Sequence, residues 1–291
     1  MYLQGEIVIL KGVTGKTFNK VAFRFEGNNK VIIENLSIKS DNNHISTYSS
    51  LQGPAPLYFV SGKNNSLVFR GENVITSGHT TTGKQGYGAA VGINFNSNLT
   101  ISAAADDPNA SLTTNGGMSG AGIGGGESLT VGSITINSGR ITAKGGRWAP
   151  GIGTGGSNGV MENITINGGV ITATGGSGDG ASGGAAGIGL SSSTANSIYN
   201  TQISNIEING GTVNAVGTEG GAGIGTGYGK GGKISNIQIN KGTVTATGGA
   251  SASALSLGTF GGGAGIGNGD SQSGIIDSIC ITGGRIIAKG G

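Results

Sequence analysis

One cysteine, four prolines, one tryptophan and two histidines among 291 residues exclude much before any motif is sought. A lone thiol, Cys280, cannot build an intramolecular disulfide framework. So little proline, with no three-residue glycine period, excludes a collagen-type chain. Charged residues make up 11% of the chain and aromatics 5%. The net charge of +3, from 17 basic and 14 acidic residues dispersed along the sequence, is too mild for a nucleic-acid footprint. No apolar run approaches the ~20 residues of a spanning helix, so no membrane insertion is expected. No charged-then-apolar leader follows Met1. His44 and His79 lack an acid, a cysteine or a second histidine at ligand spacing, and read as surface residues.

Glycine, by contrast, is abundant at 64 residues, and Ile, Val and Thr recur on a fixed schedule that a disordered tract would lack. The stretches SITINSGRITAKGG (133–146), NITINGGVITATGG (163–176), NIEINGGTVNAVG (205–217), NIQINKGTVTATGG (236–249) and SICITGGRIIAKGG (278–291) share one frame. Between them GAGIG or a close variant recurs at 120–124, 149–153, 185–189, 221–225 and 263–267. Equivalent isoleucines 134, 164, 206, 237 and 279 are spaced 30, 42, 31 and 42 residues apart, which is a solenoid signature.

Within each repeat apolar and polar residues alternate, so each segment is a strand with one buried face. Copies stacked in register would place equivalent residues one coil apart, about 4.8 Å along the axis. The expected fold is therefore all-β, a single-stranded right-handed parallel β-helix with coils of about 30 residues. Its core would be ladders of Ile134 and Ile136 with their equivalents, of Ala143 with its own, and of the Ile in GAGIG. Stacked Asn137, Asn167, Asn209 and Asn240 would line a corner as an asparagine ladder. One domain is expected over 1–291. Residues 1–29 form a less regular first coil or cap, 30–97 degenerate coils (with AAVGI at 89–93 an early GAGIG), and 98–291 regular glycine-rich coils. The last of these lacks a polar cap, so it either continues into or stacks on another module.

Motifs that carry chemistry are few. The run Gly227-Tyr228-Gly229-Lys230-Gly231-Gly232-Lys233 leads into a strand, not the helix N-terminus that a phosphate loop requires. Nothing supplies the paired carboxylates of a glycoside hydrolase, so no enzyme and no cofactor are expected. Asp106 and Asp107 are adjacent and would converge only in a loop; they are the single metal candidate, for Ca²⁺, against the alternative of a solvated turn. Threonines recur outward on the second strand of the repeat, but Lys144, Asn214 and Lys289 interrupt the array that an ice-binding protein would need. Cys280, between Ile279 and Ile281, should point outward. Trp148, Tyr228 and Phe260 lie in the variable segments beside GAGIG strands, where aromatic rings can stack on sugar faces or pack on their own loops.

Repeats of the form I-x-I-x-G-G-x-V-x-A-x-G-G followed by G-A-G-I-G resemble the glycine-rich β-helix domains of large bacterial cell-surface proteins, often labelled carbohydrate-binding. VIIENLSI resembles the opening strand of that family, and NLTISAAADDPNASLTTNGGMSGAGIGGG its first full coil. The resemblance implies an extracellular, surface-displayed scaffold or adhesin whose partners are glycans or host and cell-surface proteins. The alternatives are a phage or secretion-system receptor-binding fibre and, further off, a polysaccharide lyase or hydrolase.

Overall fold

The computed structural model describes residues 2–4, 7–40, 55–78, 88–127, 129–156, 158–179, 182–192, 198–251, 253–254, 258–259, 261–270 and 273–291. Among them there is no helix. The chain is a parallel β-helix. Nine coils each give one principal strand to each of three parallel sheets, and each of these pairs with its equivalents in the adjoining coils; Thr130–Val131 adds a short extra strand to the second sheet, and Ser253–Ala254 pairs antiparallel with Gly258–Thr259. The first coil contributes Tyr2–Gln4, Ile7–Lys11 and Phe18–Asn19. The sixth contributes Ile152–Gly155, Val160–Ile166 and Val170–Thr174. The ninth contributes Ile266–Gly267, Ile275–Ile281 and Arg285–Lys289. Within 1–29, Val8 and Leu10 turn to the core while Ile7, Ile9 and Lys11 face outward, and Tyr2–Gln4, Ile7–Lys11 and Phe18–Asn19 pair in register with the second coil.

The repeat frame sets the register. Ile134 pairs with Ile164, Ile164 with Ile206, Ile206 with Ile237 and Ile237 with Ile279. The alanines 143, 173, 215, 246 and 288 pair in the same way. The GAGIG isoleucines 123, 152, 188, 224 and 266 form the ladder of the first sheet. Val91 joins that ladder through Ile123, so AAVGI is its early copy. Nearly all these side chains up to the eighth coil are fully buried, each stabilising the fold by roughly 1.5–3 kcal/mol for a large aliphatic group. In the terminal strand Ile279 and Ile281 lie about half exposed, although the register turns them to the core side.

The early coils fill a glycine-poor interior with larger groups. Phe25 pairs with Phe59, their rings stacked 4.9 Å apart, and Phe69 lies buried beside them. At the corner between the second and third sheets the expected asparagine ladder is present. Asn167 Nδ2 donates to Asn137 Oδ1 (2.9 Å), Asn209 to Asn167 (3.0 Å) and Asn240 to Asn209 (2.8 Å), and the Thr282 hydroxyl caps the row on Asn240 Oδ1 (2.8 Å). The corner at GAGIG is tighter. The N–H of Ala121, Ala186, Ala222 and Ala264 each donates to the carbonyl four residues on, folding the chain back sharply around the core isoleucine. Pro150 takes the same place in the sixth coil and has no N–H to give.

Candidate functional site

The turns that lead from the third sheet into GAGIG stack as a column of loops along one edge of the β-helix. They hold most of the chain's chemistry because the core does not constrain them. In the short turn 145–151, Trp148 adopts φ 66°, and its indole is half-buried. The Nε1–H donates to Ser182 Oγ in the next loop (2.6 Å), and the Arg147 guanidinium lies 5.4 Å over the ring. The Ser182 hydroxyl is itself within 3.1 Å of Asp179 Oδ1, which also accepts the Ser182 N–H at 3.2 Å. One coil further, Glu219 at φ 41° accepts the Gly178 N–H (2.6 Å). The loops are therefore stitched from coil to coil by side chains: tryptophan to serine, glutamate to backbone.

Tyr228 lies deeper. Its residue is 9% exposed, and a Cβ on Gly183 would fall 2.4 Å from its ring, so the loop backbone of the preceding coil rests directly on the phenol. Burial first, and the nearby Asp270 carboxylate second, hold the phenol above its ordinary 10.0. The sequence offered Tyr228 as a ring for stacking on sugar; here glycine backbone covers it, because glycines at the facing positions allow that approach. Asp270 accepts the Gly261 N–H (2.7 Å) and donates its own N–H to Gly220 O (2.7 Å). Phe260 lies outside the described residues, as do His44 and His79. Among the described residues, Trp148 is thus the aromatic candidate that stays partly open, and Arg147, Asp179 and Glu219 join it at the edge. Sequence reasoning missed those three, although the insertions around them marked the loops as variable.

Asp106 and Asp107 share a turn, but their carboxylates are engaged separately. Asp106 pairs with Arg70 at 2.5 Å across the coils, and that guanidinium holds its carboxyl below the ordinary 3.8. Asp107 accepts the Gly71 N–H (2.8 Å). Both carboxylates thus serve contacts between coils, and no three His, Cys, Asp or Glu residues come together among the described residues. Cys280 is exposed, as its row predicts.

A family model described as a beta helix repeat matches residues 134–156 and 206–228. Each match begins at a core isoleucine of the second sheet, Ile134 or Ile206, and runs through the third-sheet strand and the loop into the next GAGIG-type corner. No curated protein and no solved structure matches the chain significantly.

Proposed function

We propose that this β-helix is a non-catalytic scaffold, displayed at a bacterial cell surface as an adhesin-type module, that contacts glycans through its column of corner loops. The observation that carries the reading is Trp148. Its half-buried indole is held by a hydrogen bond to a neighbouring coil, with the Arg147 cation at the ring and the exposed Asp179 carboxylate within the same bonded group. An oriented aromatic plane with polar groups at its edge suits a pyranose, which offers an apolar face and equatorial hydroxyls. A stiff solenoid fixes that group on a rigid support.

The test is a glycan-array screen of the purified chain beside Trp148→Ala, followed by titration of any hit. Because Trp148 is the sole tryptophan, its fluorescence reports occupancy directly. Binding that is selective, changes the emission and disappears in Trp148→Ala supports the reading. An array without hits, or a variant that binds as well as the parent, sinks it.

A further inference from the structure

Over its last six coils, the outward rows of the third sheet carry charge of one sign only. Arg140 and Lys144 project from the strand Arg140–Lys144, and Arg285 and Lys289 from Arg285–Lys289. The pairings place Arg285 in the same axial row as Arg140, and Lys289 in the row of Lys144. All four are exposed, and none has an ion-pair partner among the described residues. The three coils between them present only neutral side chains, chiefly threonine with Asn214 and two valines. The nearest outward carboxylate on this face is Glu72, two coils before Arg140.

Two cation pairs separated by four coil steps lie about 19 Å apart along the axis. A ligand that uses both must be extended and sparsely charged, with anions about 19 Å apart. We infer that this face binds a linear glycan in which uronate units alternate with neutral sugars, laid along the helix axis. A pyranose unit is about as long as one coil step, so carboxylates four units apart meet the two cation pairs. The hydroxyl-bearing threonine rows face the units between. An alternating polymer leaves one carboxylate over the threonine rows between the pairs, whereas a polymer charged at every unit leaves three without a counter-charge, at a larger desolvation cost. A nucleic acid is denser still in charge, and the face offers no ring on which a base could stack. This site lies on a different face from Trp148 and does not depend on it.

Hyaluronan oligosaccharides, in which glucuronate alternates with N-acetylglucosamine, are the probe. The full chain is titrated with an octasaccharide, a disaccharide, uncharged chitohexaose, polygalacturonate and single-stranded oligothymidine. The same titrations are made with R140Q/K144Q, R285Q/K289Q, the quadruple variant and Trp148→Ala. Circular dichroism confirms that these exposed substitutions leave the fold intact. The octasaccharide is expected to bind, to weaken about tenfold or more in the quadruple variant, and to weaken with rising salt. Each pair of substitutions should cost a similar share, the disaccharide and chitohexaose should bind at least about tenfold more weakly, and Trp148→Ala should leave octasaccharide affinity unchanged. The inference is overturned if the octasaccharide does not bind, if the quadruple variant binds it as well as the parent, or if polygalacturonate or oligothymidine binds as tightly.

Discussion

Replacing Gly189 with alanine tests the stacking argument in the middle of the glycine ladder. The second glycine of GIG recurs at 124, 153, 189, 225 and 267, with φ between 135° and 147° in every coil, a region that side-chain-bearing residues rarely adopt. A Cβ on Gly189 would lie 2.0 Å from the carbonyl oxygen of Gly225, the backbone of the next coil. Neither partner can yield, because each is paired on both sides of the ladder. The conformational term costs about 1–3 kcal/mol and the overlap about as much again. Together they reach about 2–6 kcal/mol, a large part of the stability of an ordinary domain. Gly125→Ala is the control. Its nearest neighbours would be 3.3 Å away, so they must give by a few tenths of an ångström, but the equivalent positions after GIG hold Leu190, Thr226 and Asn268, so a methyl should cost about 1 kcal/mol at most. Urea unfolding followed by circular dichroism measures the difference. Hydrogen exchange should show lost protection centred on coils six to eight, because a solenoid is coupled mainly through nearest neighbours. Coincident midpoints for Gly189→Ala and Gly125→Ala would refute the close-approach argument.

Other outcomes follow from the same geometry. Ile206→Ala, in the middle of a buried ladder, should destabilise by about 2–5 kcal/mol in the same urea assay. Asn209→Ala removes one donated and one accepted bond of the asparagine row and should cost about 1–3 kcal/mol, with exchange quickening at that corner alone. The folded-state carboxyl of Asp106 is lowered by Arg70, so the stability that it contributes is present above its ordinary 3.8 and is lost as pH falls through the lower folded value. The urea midpoint of the parent should therefore drop further on acidification than that of Asp106→Asn, and parallel pH profiles would remove the pair from the stability argument.

The sequence exposed the fold because the solenoid's demands are periodic. Ile164, Ile206 and Ile237 must occupy one row, so their spacing announces the register, and Asn167, Asn209 and Asn240 announce the corner in the same way. The first coil was harder to read, because Phe18 departs from the isoleucine-glycine pattern, and only pairing with the next coil shows that Leu3 and Phe18 belong to the ladders. The candidate site was legible as a location but not as an arrangement. Nothing in the spacing of Trp148 and Ser182 foretells a bond between them, since it depends on how two loops of unequal length pack. Tyr228 left two readings for a similar reason, stacking on a sugar or packing under loop backbone, since only the packing of the coils shows Gly183 resting on its ring.

The unequal repeat lengths show where such a molecule can vary. Coils separated by 42 residues keep the same isoleucine, alanine and GAGIG pairings as those separated by 30. Most of the extra chain therefore enters at corners, and within strands the register shifts by a single residue, as between Tyr199 and Gln202. An insertion within a strand would turn its buried side chains outward and break the register with both neighbours, at a cost summed over several buried residues. The same insertion in a corner adds only loop-closure entropy, about 0.6 kcal/mol for each doubling of loop length. The strand faces follow another rule: their outward rows are fixed in position but free in identity, which is how Arg140 and Arg285 share a row with Thr212 and Thr243. Corners thus change by insertion and faces by substitution. Trp148 with its bonded partners, and the two cation pairs of the third sheet, are one example of each.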